Sequence, residues 1–184
     1  MVKEIRKKFR IKIPTYVKTL LSKNKRGIKL DCGCGLNKQK GFIGMDKRKI
    51  PGVVDIIHDI EVFPFPLPDN TCSVILMSHV IEHIKPWLMI DLMNELWRVM
   101  EPGGQLWLAF PYAGSFGFWQ DPTHCNGCNQ ATFTYFDPKH PLYQVYKPLP
   151  WDLKQNTWSE TGNMEVILEK VLETTLEKKK KGAK

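Results

Sequence analysis

The sequence predicts an open α/β sheet, most of its strands parallel, on three observations. Three short apolar runs in succession end in an acid: Ile28 to Asp31, Gly41 to Asp46 and Val53 to Asp59. Two further apolar runs, Cys72 to Met77 and Gln105 to Phe110, flank a stretch in which Leu88, Leu92, Leu96 and Val99 recur at helical spacing. The first run also passes directly into Cys32-Gly33-Cys34-Gly35, where glycine permits positive φ and lets a ligand approach the backbone with no Cβ in the way. Strands in such sheets present functional groups at their carboxyl ends, so Asp31, Asp46 and Asp59 are expected along one edge, as acceptors suited to ribose hydroxyls or an adenine amine.

The elements follow in order. Residues 1–27 form a basic N-terminal segment in which Tyr16 to Leu21 is amphipathic over one or two helical turns, ended by Gly27. Ile28 to Asp31 is the first strand, and the N–H groups of the glycine turn after it are free to face a polar ligand. Only Leu36 to Lys40 separates that turn from the second strand, too few residues for the helix that normally links a parallel pair. After the third strand, Phe63-Pro64-Phe65-Pro66-Leu67-Pro68 excludes helix and Asp69-Asn70 marks a turn. The fourth strand leads into Ser78-His79-Val80-Ile81-Glu82-His83, and a helix runs from Pro86 to Met100 with Pro102-Gly103-Gly104 as its stop. Gln105 to Phe110, apolar on both faces, belongs near the centre of the sheet. Residues 111–150 are aromatic and proline-rich without a sustained period and read as an insertion lidding the carboxyl edge. Trp151 to Trp158 and Met164 to Val171 flank Ser159 to Asn163 as an antiparallel hairpin, and 172–184 is a basic tail.

With 184 residues the chain suits one main domain, 28–171, burying roughly 70% of its unfolded surface. The formal charge of +8 is concentrated in Lys3 to Arg10, Lys23 to Arg26 and Lys178 to Lys181, which read as solvated runs at and near the termini. Five cysteines, an odd number, read as reduced thiols. The basic start has no apolar stretch of signal length and no run approaches a membrane span, so a cytoplasmic protein without a membrane partner is expected.

Two motifs, Leu30-Asp31-Cys32-Gly33-Cys34-Gly35 and Ser78-His79-Val80-Ile81-Glu82-His83, followed by Arg98 to Gly104 ending in Pro-Gly-Gly, resemble the class I S-adenosylmethionine-dependent methyltransferases, in particular the compact members of the type 11-like domain. The resemblance covers roughly residues 28–111. It implies a Rossmann-like sheet of seven strands, the last two forming the C-terminal hairpin, here with a shortened first crossover. It implies S-adenosyl-L-methionine as cofactor, with Asp31, Gly33, Cys34 and Gly35 around its methionine part, Asp46 on the ribose, Asp59 and Ile60 at the adenine, and Ser78 and His79 beside the sulfonium. A nicotinamide-binding fingerprint fits less well, since it needs a third glycine where Lys38 stands.

For an acceptor that must lose a proton, the candidate bases are His79, His83 and His124, with Asp121 beside them. The competing structural readings are that His79 and His83 cap or hydrogen-bond within a helix start, that Glu82 bonds backbone or a neighbouring cation, and that Asp121-Pro122-Thr123-His124 is a turn in which His124 braces the insertion. No metal is expected: His124 with Cys125-x-x-Cys128 offers three ligands, and no second Cys/His pair is positioned to complete a closed zinc site. The aromatic residues Tyr112, Phe116, Phe118, Trp119, Phe133, Tyr135 and Phe136 form either an acceptor pocket or the insertion's own core. The function expected is methyl transfer to a small molecule or glycan. A nucleic-acid acceptor is the first rival, disfavoured because strand four lacks the Asn/Asp-Pro-Pro-aromatic signature of exocyclic-amine methylation, and a non-catalytic cofactor-binding partner is the second.

Overall fold

The computed structural model describes residues 11–24, 27–160 and 162–172. The basic runs expected at 3–10 and 178–181 lie outside these. Helix α1 (Thr15–Ser22) follows Pro14 and turns Val17 fully into the core, with Leu20 and Leu21 half-buried beside it. It ends at Ser22, before Gly27, and Asn24 closes it by donating from Nδ2 to the Leu20 carbonyl.

The sheet has seven strands: β1 (Ile28–Cys32), β2 (Ile43–Asp46), β3 (Ile56–Ile57), β4 (Cys72–Ser78), β5 (Met100–Pro111), β6 (Trp151–Thr157) and β7 (Asn163–Lys170). Their order is β3-β2-β1-β4-β5-β7-β6, the first five parallel and β7 antiparallel to both its neighbours. The predicted architecture is therefore present, including the terminal hairpin. The sheet order reverses at β1, whose neighbours β2 and β4 lead outward on opposite sides, and a crevice opens at such a point beyond the strand ends.

No helix joins β1 to β2. The link is held by carboxylates instead: Asp31 Oδ2 accepts from the Gln39 N–H (2.7 Å), and Asp55 Oδ2 accepts from both Lys38 Nζ (2.7 Å) and the Gly44 N–H (2.8 Å). Among the described residues, one consequence is a sheet face that is incompletely covered. On β5 the row Leu106, Leu108 and Phe110, paired with Leu168, Val166 and Met164, is buried, whereas Trp107, between Leu76 and Ile167 on the other face, is 37% exposed. Strand β5 is central as predicted, but not apolar and buried on both sides.

Pro86–Leu88 makes one 3₁₀ turn and α2 (Met89–Val99) follows it, burying Leu92, Met93, Leu96 and Val99 completely. Strand β5 starts at Met100, earlier than predicted. Cys72 pairs with Met100 and Val74 with Gln105, so residues 101–104 bulge out of the strand, and Gly103 supplies the positive φ (77°) the bulge uses. The Pro-rich segment after β3 is tied to α2: Glu95 Oε1 accepts from the Phe65 N–H (2.6 Å), and Arg98 reaches the Leu67 carbonyl (3.0 Å) and Asp69 (2.8 Å).

The insertion carries two short helices, α3 (Phe116–Trp119) and α4 (Tyr143–Tyr146), and a 3₁₀ turn at Thr132–Phe136. Its aromatic residues divide. Phe118, Phe133 and Phe136 are buried, Phe133 packing on Phe110 at 5.6 Å, while Phe116 and Trp119 are 80% and 75% exposed.

Candidate active site

The glycine turn differs from expectation in how its N–H groups are used. Those of Gly33 and Cys34 both donate to the Met45 carbonyl (2.7 and 3.3 Å), and that of Gly35 donates to Asp46 Oδ2 (2.9 Å). The turn therefore offers close approach rather than free donors. Gly33 sits at φ 80°, and a Cβ there would lie 2.6 Å from Val80 Cγ2, so the two loops meet with no room for a side chain.

Asp46, at the end of β2, has all four acceptor positions filled. Oδ1 accepts from the Arg48 N–H (2.9 Å) and Nε (3.0 Å), and Oδ2 from the Gly35 N–H (2.9 Å) and Arg48 Nη2 (3.2 Å). Burial pushes its carboxyl up, but the bonds from the Arg48 side chain and backbone and from Gly35 outweigh that and hold it below the usual carboxylate range. Asp31 shows the opposite balance: burial raises it, only partly offset by the Gln39 N–H and by Lys38. Burial, with Asp31 and Asp46 nearby, pushes the Cys34 thiol up to about 11, so it is not a thiolate nucleophile near neutral pH. Asp59 stands two residues beyond β3 and accepts from the Glu61 N–H (3.0 Å), and Glu61 pairs with Lys85.

Beyond β4 the backbone turns sharply. His79 adopts φ 55°, a conformation L-residues occupy at a cost and one that gathers at functional sites, and its N–H is fixed on the Ala109 carbonyl (2.8 Å). Ile81–His83 forms a single 3₁₀ turn with no side-chain cap, so neither His79 nor His83 caps it, and the local contact at this start is the one between His79 and Glu82. The Glu82 side chain is 1% exposed, yet neither oxygen accepts a hydrogen bond; His79 Nδ1 stands 3.3 Å from its Oε1, a charged contact when the ring is protonated. The expectation that Glu82 bonds backbone through its side chain is not met. Its carbonyl does the bonding, accepting from the N–H groups of Cys125 (2.9 Å) and Asn126 (3.0 Å).

Those two bonds belong to a clasp by which the insertion grips the 81–83 turn. Asn126 Nδ2 also donates to the Ile81 carbonyl (3.1 Å), and Thr123 Oγ1 meets His83 Nδ1 at 3.1 Å. Asp121 Oδ1 accepts from the Thr123 N–H (2.8 Å) and hydroxyl (2.7 Å), the turn expected of Asp-Pro-Thr, and these bonds, with the neighbouring His124 and His83, hold its carboxyl low. His124 Nδ1 bonds the Phe118 carbonyl at 2.7 Å, and its ring stands edge-on to His83, centroids 4.7 Å apart.

A cavity of about 250 Å³ opens at the strand ends between the two halves of this arrangement. Of the residues predicted from sequence, Gly33, Asp46, Asp59, Ile60, His79 and His83 line it. Asp31, Cys34, Gly35, Ser78 and His124 are not in its wall; Asp31 and Gly35 act behind it by fixing the β1–β2 link and Asp46. Sequence reasoning missed Lys47, Arg48, Glu61, Val80 and Ile84 in the wall. Arg48 was the findable one, a cation two residues after the acid expected to bind.

Residues 34–108 match a family described as a methyltransferase domain. A protein of Mycolicibacterium smegmatis named "Probable S-adenosylmethionine-dependent methyltransferase" is 28% identical over 125 residues, 57% of this chain and 48% of its own length, so the chain spans about half of that relative. Among solved structures, an S-adenosylmethionine-dependent methyltransferase from Archaeoglobus fulgidus superposes with a TM-score of 0.60 at 20% identity, covering 84% of this chain and 93% of its own. A 16S rRNA (adenine(1408)-N(1))-methyltransferase variant from Catenulisporales acidiphilia gives 0.55 at 14%, covering 85% and 90%. Matched residues, strand order and the carboxyl-edge cavity agree: over residues 34–108 the chain is similar to the methyltransferase-domain family, and it has the fold of the S-adenosylmethionine-dependent methyltransferases.

Proposed function

We propose that the chain methylates a small-molecule or glycan acceptor with S-adenosylmethionine as donor. The observation that carries this is a single cavity with Asp46, Asp59 and Ile60 in its wall together with His79 and His83. A nucleoside needs a carboxylate for its ribose diol and an apolar surface for its base, and Asp46 and Ile60 fit those needs. The two Arg48 side-chain N–H groups occupy two of the four acceptor positions on Asp46, the number two ribose hydroxyls would take. Arg48 is half exposed, so its withdrawal leaves the Gly35 and Arg48 backbone bonds to keep the carboxylate in place.

The cofactor, when bound, supplies a methyl group already activated on a sulfonium. The chain's own residues then have to orient an acceptor, exclude water and receive a proton. His79 suits the last task. Its Nδ1 stands 3.3 Å from Glu82 Oε1 on one side of the ring, and Nε2 on the other is left to accept a proton from an acceptor hydroxyl. The clasp of the insertion on the 81–83 turn holds the segment that carries His83 in the cavity wall, and Phe116 and Trp119 offer exposed aromatic surface on the insertion against which an acceptor can pack.

Charge supports the small-acceptor reading. The positive excess falls in 1–10, 25–26 and 173–184, whereas the described residues carry nearly balanced charge, and a nucleic-acid groove would need a basic lining. A nucleic-acid acceptor held by the basic end segments is the second reading, and a steep salt dependence of RNA binding would favour it. The test is S-adenosylhomocysteine release against panels of sugars, small hydroxylated compounds and RNA. His79→Gln is expected to lower kcat by about 10²–10⁴-fold while S-adenosylhomocysteine still binds. Undiminished turnover in that variant, or turnover on RNA alone, would overturn the assignment.

A further inference from the structure

Among the described residues, one group of three side chains brings metal-ligating atoms together: Glu82, His83 and His124, with one ligand atom from each lying within 4.8 Å of the others. It joins the turn after β4 to the insertion and shares His83 with the cavity wall. We propose that these three residues bind one divalent transition-metal ion of the zinc class.

Hydrogen bonding sets the state of both rings. Thr123 has one hydroxyl proton and Asp121 Oδ1 takes it, at 2.7 Å, so toward His83 the hydroxyl oxygen can only accept. His83 Nδ1, 3.1 Å away, is then the donor. His124 Nδ1 lies 2.7 Å from a backbone carbonyl, that of Phe118, and must donate too. Each neutral ring therefore carries its proton on Nδ1 and an available lone pair on Nε2. That pattern, the second nitrogen anchored on a carbonyl or on a hydroxyl held by a carboxylate, is the one that orients metal-binding histidines.

The third ligand supplies an independent sign. Glu82 is 1% exposed and neither of its oxygens accepts a hydrogen bond. A buried carboxylate without a partner is costly, and partial contact with His79 at 3.3 Å touches one oxygen only. A cation among Glu82, His83 and His124 answers that deficit. Two imidazoles and one carboxylate make the donor set of open catalytic sites for zinc and other first-row ions, which keep at least one position for water or substrate. Ligand atoms around a tetrahedral ion at ~2.0 Å lie ~3.3 Å apart, so rotamer adjustments of an ångström or so would draw the three in. Asp121, whose Oδ2 is 3.8 Å from His124 Nε2, adds negative charge beside the site. Cys125 and Cys128 do not join it.

Binding of the ion stands on this cluster alone. Its use, holding an acceptor oxygen beside His79 and easing loss of that oxygen's proton, rests on the methyl-transfer reading.

The test uses the full chain, stripped with a chelator and titrated with Zn²⁺ by calorimetry and with Co²⁺ by visible absorption. One ion per chain with ligand-field bands is expected, with affinity falling at least ~10-fold in His124→Ala and Glu82→Gln and by ~10-fold in Thr123→Val, the last through the orientation of His83. Cys125→Ser is expected to change nothing. Thermal unfolding and S-adenosylhomocysteine titration run beside each variant; should Glu82→Gln not fold, His124→Ala and Thr123→Val decide. A folded chain without cobalt bands, or binding that survives both His124→Ala and Thr123→Val, overturns the site. Loss of S-adenosylhomocysteine binding with intact metal binding would instead strike the cofactor reading and leave the site standing.

Discussion

Replacing Gly33 by alanine tests the close approach of the two loops that shape the cavity. Two costs add at this position. At φ 80° an L-residue is in the left-handed region, about 1–2 kcal/mol above its ordinary conformations. The new Cβ would also stand 2.6 Å from Val80 Cγ2 and 3.0 Å from Cγ1, and Val80 is itself buried, so relief requires moving packed structure, about 1–3 kcal/mol. Together Gly33→Ala should lose about 2–5 kcal/mol of a total near 5–15 kcal/mol. Gly41 provides the control. Its φ is 82° and a Cβ there meets nothing within 4 Å, so Gly41→Ala should lose only the conformational part, about 1–2 kcal/mol less the gain from stiffening the unfolded chain. Urea unfolding reads the difference as a midpoint shift of about 1 M or more at unchanged slope. Trimming the neighbour should restore part of the loss, so Gly33→Ala/Val80→Ala should be more stable than the two single changes added together. Equal losses for Gly33→Ala and Gly41→Ala, or strict additivity with Val80→Ala, would refute the contact.

Other expectations follow from the site's carboxylates and thiols. Asp31 is raised in the folded chain, so folding strength falls as pH rises from about 3.9 through that higher value and stays reduced above it. Asp31→Asn, which keeps an acceptor for the Gln39 N–H, should therefore raise the melting temperature at pH 7. Asp46 is lowered, so it contributes stability that is fully present above about 3.9 and is lost as pH falls through its folded value; Asp46→Asn should flatten that acid limb in pH-dependent melts. With Cys34 pushed up to about 11 and Cys128 to about 12 by burial, and Cys32 and Cys72 fully buried, a disulfide reagent at pH 8 should titrate one thiol in the native chain, Cys125, and five in denaturant.

Much of this fold is readable locally. A strand that ends in an acid and two glycines, a helix stopped before Pro-Gly-Gly, and Met164, Val166 and Leu168 alternating across the last strand are patterns of one segment, and the structure builds each nearly where the pattern lies. The short β1–β2 link was legible as missing a helix; that Asp31 and Asp55 hold it was not, since each bond joins residues 8 to 17 apart whose meeting depends on the loop's path. The free N–H groups expected after β1 failed for a related reason. Strand β2 lies close enough for the Met45 carbonyl to take two of them and for Asp46 to take the third.

At the site the division is the same. Asp46, Asp59 and His79 were visible because strand ends deliver side chains to a known edge. The grip of 121–126 on 81–83 joins residues some 40 apart and left no local periodicity to read. Glu82 shows the limit most plainly. On a 3₁₀ turn it resembles any surface acid, and only the insertion folded over it makes it a buried carboxylate without a hydrogen bond.

The most direct measurement is calorimetric titration of the purified chain with S-adenosylmethionine and with S-adenosylhomocysteine, NAD serving as the control ligand and Asp46→Ala as the control protein. Saturable binding of both adenosyl compounds, absent for NAD and lost in a variant that still melts cooperatively, is the result this account predicts. Binding of neither, or binding undisturbed by Asp46→Ala, would contradict the placement of the cofactor at the end of β2 and the function built on it.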